Sequence, residues 1–393
     1  MMNQRILSID IMRGLTLFLM LFVNDLYMPG VPAWLGHTSA DFDGMGLADW
    51  VFPGFLFMVG MAVPFAAQSR IKRGQSSLTI FYHILVRSLS LIIIGVFMVN
   101  VSRLNPQLTG LSKNLWAILV YISIFLIWNN YRNLRLWLIY LLKGAGIAGL
   151  IILAAIFKSG TAESVSWLHT SWWGILGLIG WGYLAASLIY LFVKDKLLQI
   201  TGFWALFFML NILSQLNLLE FLNPVKPVLG VLLNGNTPSI VLAGLFFSVL
   251  IRQIGFADSQ KLIKTSLLIG VILLVIGFVL RQWFIISKIQ GTPSWAMICN
   301  GISVLVFVVL YIVIDLFKLT KWTVIFKPAG QNSLTTYLAP DIFYYSMWLS
   351  GIPILIYKQS ELAGVVILGS VLWALAMIGF AALLARIGIR LRL

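Results

Sequence analysis

Apolar runs of membrane-spanning length recur along almost the whole chain, and they constrain the fold more than any other feature. A helix needs about 20 predominantly apolar residues to cross a bilayer, which is roughly what most of these runs provide. Twelve runs can be read, the fourth of them short, and they cover residues 6–28, 47–67, 78–101, 114–128, 136–157, 173–193, 197–217, 237–255, 265–287, 296–317, 330–349 and 362–385. We therefore predict an all-α fold, a polytopic integral membrane protein with about 11–12 transmembrane helices.

The composition supports this class of protein. Of the 393 residues, 60% are hydrophobic and 10% are charged, and the mean hydropathy of +0.98 is far above that of soluble domains of this size. We expect no cleavable signal, because the first run is long, polar on one face and not followed by a small-residue cleavage site. The single cysteine, Cys299, excludes an intramolecular disulfide, and we expect no metal site because the histidines lack ligand spacing. We predict one transmembrane domain over residues 1–393.

Of the 27 Lys and Arg residues, all but Arg87 and Lys143 divide unevenly between the two sides of the membrane. If the N-terminus is cytoplasmic, the larger set lies on the cytoplasmic side, as the positive-inside rule requires, and comprises Arg5, Arg13, Arg70, Lys72, Arg73, Arg132, Arg135, Lys194, Lys196, Arg252, Lys261, Lys264, Lys318, Lys321, Lys327, Arg386, Arg390 and Arg392. The outer set is smaller and comprises Arg103, Lys113, Lys158, Lys226, Arg281, Lys288 and Lys358. We therefore predict that both termini are cytoplasmic. The net charge of +15 then reflects membrane orientation, and no nucleic-acid partner is expected.

The first run is unusual because it carries four polar residues, Asp10, Arg13, Asn24 and Asp25. Ionisable residues inside a membrane are costly and usually functional. At 100° per residue, Arg13 and Asn24 lie within about 20° of each other around the helix, and Asp10 lies within about 60° of both. The same two residues are roughly 16 Å apart along the axis, so the pattern predicts a polar stripe that covers about half of the membrane thickness.

The loop after the first run leads to a second polar group. It contains His37 with three acidic residues downstream, Asp41, Asp43 and Asp49. Pro53 lacks an N–H group, so the carbonyl of Asp49 loses its helical donor. A solvated histidine is the structural alternative, but the proximity of the polar stripe favours a functional role for His37.

Basic residues also occur at depth inside the predicted spans. Arg87 and Lys143 lie roughly 12–14 Å into runs that enter from the cytoplasmic side, at a depth similar to that of Arg13. Cations there need an anion or water, which indicates an inner cavity that accepts an anion such as a phosphate. Snorkelling to lipid headgroups is the alternative, and it applies more to Lys143 than to Arg87.

The eleventh run, residues 330–349, is too polar to face lipid. It contains Asn332 and, past mid-membrane, Asp341. A carboxylate at that depth needs a partner such as Arg281, or a polar substrate. Pairing that serves helix packing alone is the alternative.

These residues together resemble the sequence pattern of a known family. The N-terminal portion closely resembles the heparan-α-glucosaminide N-acetyltransferase family, including its bacterial members. The family pattern is Asp-x-x-Arg-Gly at the start of a span, an Asn that ends it, an outer-loop His, and Asp-x-Val-Phe-Pro entering the next span. Here it reads Asp10-Ile-Met-Arg13-Gly14, Asn24, His37 and Asp49-Trp-Val-Phe-Pro53, with a weaker match at Gly330-Gln-Asn332-Ser333, Tyr337 and Asp341. Compared with the vertebrate pattern of the family, a few additional residues separate His37 from Asp49.

The resemblance implies transfer of acetyl from cytoplasmic acetyl-CoA to the amine of an amino sugar on the far side of the membrane. His37 is the expected base, Asp49 orients its imidazole, and Asn24 donates to the thioester carbonyl or holds the sugar. Cations of the inner cavity hold the phosphates of coenzyme A, and the residues expected to bind this donor are Arg13, Asp10, Arg87 and Lys143. Acceptor binding is expected at Asp341, Asn332 and Arg281. A homodimer would match the family.

Two other functions remain open from the sequence. A transporter of an amino sugar or an organic anion would use the same intramembrane charges as substrate and proton sites. A structural or assembly protein would leave the cost of the buried charges unexplained. Several glycans present suitable amines or hydroxyls, so the acceptor stays unnamed.

Overall fold

The computed structural model describes residues 6–132, 134–352 and 355–393, and Arg5, one of the basic residues assigned above to the cytoplasmic side, lies outside them. Helices account for most of the described chain. They are α1 Leu7–Asp25, α2 Leu47–Lys72, α3 Ser77–Asn100, α4 Pro106–Thr109, α5 Lys113–Trp128, α6 Leu136–Ile156, α7 Gly174–Val193, α8 Leu197–Gln215, α9 Lys226–Asn234, α10 Asn236–Ile254, α11 Ser259–Leu280, α12 Pro293–Leu310, α13 Lys327–Gln331, α14 Ser333–Ser350 and α15 Ala363–Arg386. Two short strands, β1 Ser159–Gly160 and β2 Val165–Ser166, pair antiparallel in one loop.

The helices confirm an all-α polytopic membrane protein. Within the described residues, ten helices are long and apolar enough to cross a membrane. Each of the twelve runs predicted from the sequence overlaps at least one helix. The two that fall outside the ten are α5, with 16 residues, and α14, which contains Pro340 and many polar side chains.

Two of the helix boundaries differ from those predicted, and both differences affect the candidate active site. The run predicted at 265–287 is helix α11, which ends at Leu280, so Arg281 follows the helix instead of lying within it. The run predicted at 330–349 is broken at Asn332, which separates the short α13 from α14. The break turns Asn332 into a loop residue held between two helices.

Helix α1 lies at the centre of the bundle, in contact with α2, α12, α13, α14 and α15. Its first free N–H groups, those of Leu7 and Ser8, donate to the Asp315 carboxylate at 3.2 and 3.0 Å. These bonds satisfy two of the donors that every helix start leaves unpaired. The end of the bundle where α1 begins is called the proximal end below, and the end where α1 finishes is called the distal end.

Helix α2 starts at the distal end and contains Pro53. The proline leaves the Asp49 carbonyl without a helical donor, as the sequence predicted. The indole Nε1 of Trp295 on α12 donates to that carbonyl at 3.2 Å. The side chain of Trp295, which is far from Asp49 in the sequence, therefore supplies the hydrogen-bond donor that Pro53 lacks and fixes the position of Asp49.

Candidate active site

A cavity of about 700 Å³ extends inward from the proximal end between α1, α2, α3 and α7 and the segment around Asn332. This volume lies within the range of small-molecule and cofactor sites. Among the described residues, its polar lining comprises Asp10, Arg13, Gln68, Ser69, Arg70, Arg87, Tyr183, Gln331, Asn332, Ser333, Tyr337 and Arg392. The structure therefore brings three of the predicted donor-binding residues, Asp10, Arg13 and Arg87, to one cavity.

The cavity is long as well as wide. On α1 it is lined from Ile6 to Met20, and on α2 from Arg70 to Phe55. At 1.5 Å of rise per residue, either pair of residues spans about 21–22 Å, which is most of a hydrocarbon core. On α2, its distal limit at Phe55 lies about 9 Å along the axis from Asp49.

The charge of the lining is strongly positive. Among the described residues, its charged side chains are four arginines, Arg13, Arg70, Arg87 and Arg392, and one carboxylate, Asp10. Asp10 accepts a hydrogen bond from Nη2 of Arg13 at 3.0 Å, and Arg13 is 26% exposed. Arginine is well suited to bidentate binding of phosphates, so the cavity offers a polyanion several fixed cations.

Arg87 is held by an aromatic ring. Its guanidinium carbon lies 4.8 Å from the centre of the Tyr183 ring, and both residues line the cavity. A cation on a ring face is stabilised by the ring quadrupole without using its N–H donors. The donors of Arg87 therefore stay available to a ligand.

Two glycines bring Asn332 against α1. A Cβ on Gly14 would lie 2.2 Å from the Phe326 carbonyl oxygen, and one on Gly330 would lie 2.5 Å from the Asp10 carbonyl oxygen. Both obstacles are backbone atoms, so any side chain at either position would push α13 away from α1. The side-chain Oδ1 of Asn332 is buried and has no hydrogen-bond partner within the part of the chain that the structure describes, although the residue lines the cavity. A buried acceptor of this kind is expected to bind a ligand donor or a water.

Asn332 and Lys143 are placed differently from the prediction. Asn332 was assigned to the acceptor, but the break before α14 places it in the proximal cavity instead. Lys143 was assigned to the donor, but it is exposed on α6 and is not among the lining residues. Helix α6 has a mostly exposed surface, so the snorkelling alternative fits Lys143.

The distal end holds the predicted pair of His37 and Asp49. Nδ1 of His37 lies 2.8 Å from Oδ1 of Asp49, which is fully buried, while the imidazole is about half exposed. The other oxygen, Oδ2, accepts the backbone N–H groups of Thr38 at 3.1 Å and Gly46 at 3.0 Å, and the Thr38 hydroxyl at 3.1 Å. Because a carboxylate only accepts, Nδ1 carries the hydrogen, and in the uncharged imidazole this leaves the lone pair on Nε2. The pair thus has the arrangement of a general base with its orienting acid.

Lys288 belongs to the same cluster, although sequence reasoning assigned it only to the outer loops. Its Nζ lies 3.0 Å from Nδ1 and 3.5 Å from Nε2 of His37, and 3.8 Å from Oδ1 of Asp49. Burial lowers the pKa of the Lys288 ammonium from its usual range, and the attraction of Asp49 opposes this only in part. The residues lie more than 200 positions apart in the chain, so no local pattern could have joined them.

Arg281 secures the segment that carries Lys288. Its Nε donates to Oδ2 of Asp43 at 2.8 Å, and Oδ1 of Asp43 accepts the Ile286 N–H at 2.8 Å. These bonds lower the pKa of the Asp43 carboxyl, the backbone bond from Ile286 first and Arg281 next. The expected pairing of Arg281 with Asp341 is therefore wrong. Arg281 instead joins the 281–292 segment to residues 26–46, which form the loop that carries His37 and are called the His37 loop below.

The remaining predicted residues, Asp341 and Asn24, have surroundings of their own. Asp341 accepts a hydrogen bond from the Tyr121 hydroxyl of α5, which satisfies the expected need for a polar partner. Asn24 is exposed in the last turn of α1. Among the described residues, no hydrogen bond connects either of them to His37 or Asp49.

Asp25 marks a further cluster that the sequence did not resolve. Its buried carboxylate accepts hydrogen bonds from the hydroxyls of Tyr344 and Tyr357 and pairs with the Lys358 ammonium at 2.8 Å. The contact with Asp25 raises the pKa of the Tyr357 hydroxyl further, after the larger effect of burial. The cluster joins the end of α1 to α14 and the 355–360 segment.

The fold and these sites define an integral membrane protein with a basic cavity at its proximal end and a His–Asp–Lys cluster at its distal end. Over residues 5–218 the chain matches the model of a family described as a domain of unknown function, DUF5009. This match covers more than half of the chain, so the protein belongs to the DUF5009 family.

Two relatives are similar over a shorter segment. The heparan-alpha-glucosaminide N-acetyltransferase of Mus musculus is 41% identical over 96 residues, and that of Homo sapiens is 38% identical over 96 residues. The similar segment covers 24% of this chain and 14% of each relative.

Proposed function

We propose that this protein is a transmembrane acetyltransferase of a bacterial inner membrane, with both termini in the cytoplasm. It moves acetyl from cytoplasmic acetyl-CoA to the amine of an amino sugar at the extracytoplasmic face. The observation that carries the proposal is the cavity that extends about 21 Å along α1 and has four arginines in its lining. The partial similarity to two N-acetyltransferases supports the reaction type.

The proximal cavity is the proposed donor site. Coenzyme A carries several phosphate charges, and Arg13, Arg70, Arg87 and Arg392 offer cations to them. The unpartnered Oδ1 of Asn332 is available to a donor N–H group of the same ligand. We assign this donor role to Arg70, Arg392 and Asn332 in addition to the predicted Arg13 and Arg87, and we no longer assign it to Lys143.

The distal cluster is the proposed transfer site. The distal limit of the cavity lies close to this cluster. Along the helix axes, about 6 Å separate Met20 from Asn24 on α1, and about 9 Å separate Phe55 from Asp49 on α2, so an acetyl group at that limit has only these distances left to cross. In this mechanism, Nε2 of His37 takes the proton of the attacking amine, and Asp49 stabilises the imidazolium that forms. The amine nitrogen bonds to the thioester carbon, and Asn24 donates to the oxygen on which charge develops. The carbon–sulfur bond then breaks, and coenzyme A leaves as a thiolate that takes the proton held by the His37 imidazolium. Asp341 stays the proposed acceptor contact.

Turnover of the thioester tests the proposal. Purified protein in detergent is mixed with acetyl-CoA and glucosamine, and the free thiol of coenzyme A is measured together with N-acetylglucosamine. We expect thiol release that requires both the protein and the acceptor and that disappears in His37→Gln. Movement of the sugar across the membrane of reconstituted vesicles without thiol release would instead support a transporter, the other function that a cavity reaching into the membrane from one end accommodates.

Membrane orientation is tested by cysteine labelling. Ser39 is exposed beside His37, whereas the Thr38 hydroxyl is bonded to Asp49, so Ser39→Cys in a Cys299→Ala background is the less disruptive probe. We expect it to react with an impermeant thiol reagent added to intact cells. Labelling that appears only after lysis would place His37 on the cytoplasmic side and refute the proposed direction of transfer.

A further inference from the structure

The Lys288 amine lies against the imidazole of His37 without taking either of its hydrogen-bonding positions. Its distances to Nδ1 and Nε2, 3.0 and 3.5 Å, are nearly equal. An amine in line with one ring nitrogen would be much closer to that nitrogen than to the other. Nζ therefore lies between the two nitrogens, which leaves the Nδ1 hydrogen to Asp49 and the Nε2 lone pair to a substrate.

Hydrogen bonds within the protein hold Lys288 in its position. Lys288 is partly buried, and the segment that carries it is joined to the His37 loop by three bonds besides the Asp43 contacts. The Ser287 hydroxyl and the Gln290 amide donate to the Ala40 carbonyl at 2.8 and 3.0 Å, and the Gly44 N–H donates to the Ile286 carbonyl at 3.0 Å. The amine is thus held in place before any ligand arrives.

We propose that Lys288 is a positioning residue that opposes the attraction of Asp49 for the imidazolium form of His37, by holding a cation against the imidazole ring. A cation beside the ring is compatible with neutral imidazole and repels imidazolium. The cation therefore favours passage of the proton from the imidazolium to the leaving thiolate after the amine has attacked. This inference rests on the proposed function, because it assumes that His37 is the base.

The charged groups around His37 define the sign of the effect. Asp49 favours the imidazolium, and Lys288 disfavours it; the buried Cys299 thiol of α12 interacts with Lys288 but makes no contact with His37 among the bonds described. The opposite charges of Asp43 and Arg281 neutralise each other, and both side chains lie at the surface. Removing the Lys288 cation leaves Asp49 unopposed, so His37 holds its proton to higher pH.

The size of the effect follows from the distance. A unit charge at about 3.5 Å, in the water-like dielectric suited to a half-exposed ring, shifts a protonation equilibrium by about one pH unit. Lys288→Met removes the cation and keeps the length of the side chain. Lys288→Arg keeps the cation, and Lys158→Met is the matched control, because Lys158 is exposed in another outer loop.

Two readouts test the inference, and the first does not need enzymatic activity. The rate of carbethoxylation of His37 by diethyl pyrocarbonate, followed by peptide mass spectrometry from pH 5 to 8.5, reports its unprotonated fraction. The second is the pH dependence of kcat/KM for acetyl transfer. We expect Lys288→Met to move the midpoint of both profiles up by about one pH unit, and Lys288→Arg and Lys158→Met to keep that of the unmodified protein. Lys288→Gln replaces Lys288→Met if the latter is not recovered as a monodisperse protein.

Other outcomes separate this inference from the proposed function. A Lys288→Met labelling profile that overlays that of the unmodified protein overturns the role of Lys288, whatever the enzymatic activity. A shift of equal size in Lys288→Arg also overturns it, because the cation would then be irrelevant. If the unmodified protein transfers no acetyl group, the proposed function fails, and the labelling profile still decides whether Lys288 controls the protonation of His37.

Discussion

Replacing Arg13 with glutamine isolates one cation of the proposed donor site. Arg13 lies at mid-cavity on α1, is 26% exposed and is oriented by Asp10 at 3.0 Å. Glutamine keeps a polar side chain of moderate length and removes the charge. Phosphate contacts are similar in the ground state and the transition state, so their loss should raise the KM for acetyl-CoA more than it lowers kcat.

The expected magnitude follows from the burial of Arg13. A hydrogen bond to a charged group contributes about 1.5–3 kcal/mol, and the low exposure of Arg13 justifies a value of about 2 kcal/mol. At 1.36 kcal/mol for each factor of ten, this value corresponds to a KM for acetyl-CoA that is about 30-fold higher. Asp10→Asn should have a smaller effect in the same direction, since it removes only the group that orients the guanidinium.

The assay measures initial rates of thiol release at varied acetyl-CoA and varied glucosamine. Arg73→Gln is the matched control, because Arg73 is an exposed arginine at the end of α2 that does not line the cavity. We expect a KM for acetyl-CoA near that of the unmodified protein in this control. An Arg13→Gln variant that changed the KM for the acceptor alone would refute the donor assignment of the cavity.

Four further predictions concern single residues. His37→Gln should abolish acetyl transfer while acetyl-CoA still binds, as measured by isothermal calorimetry; turnover near that of the unmodified protein would remove His37 from the mechanism. Gly330→Ala should lower the free energy of unfolding by about 1–3 kcal/mol in thermal denaturation, because the new Cβ meets the Asp10 carbonyl. Lys143→Gln should leave the KM for acetyl-CoA unchanged, and an increase would return Lys143 to the donor site. Because the folded pKa of Asp43 is lowered, its stabilising bonds are present above its unfolded pKa and are lost as pH falls through the folded value, so proteolysis of the loop should increase only below about pH 4.

The fold could be predicted from the sequence because apolar length alone defines a membrane helix. The α1 part of the site could also be predicted, since Asp10 and Arg13 are polar exceptions inside an apolar run. The pairing of His37 with Asp49 involves only 12 residues of separation, and the missing donor at Pro53 already marked Asp49 as unusual. These features are local, so a single sequence carries them.

Long-range contacts could not be predicted in the same way. Lys288 reaches His37 across 251 residues, and Tyr344 reaches Asp25 across 319 residues. Arg281 was named, beside a polar substrate, as a partner for Asp341, but the early end of α11 moves Arg281 into the loop beside Asp43. Which of several polar residues at one depth meet is decided by helix packing, and hydropathy contains no information about it.

Transfer of acetyl across a sealed membrane tests the central claim most directly. The protein is reconstituted into vesicles that contain acetyl-labelled acetyl-CoA, and glucosamine is supplied only outside. The orientation with its donor cavity facing the vesicle interior is then the only one that can react. We predict labelled N-acetylglucosamine outside and unlabelled coenzyme A retained inside, with no product in vesicles that carry His37→Gln. Glucosamine that enters the vesicles unmodified, without any labelled product, would contradict the account and identify the protein as a transporter.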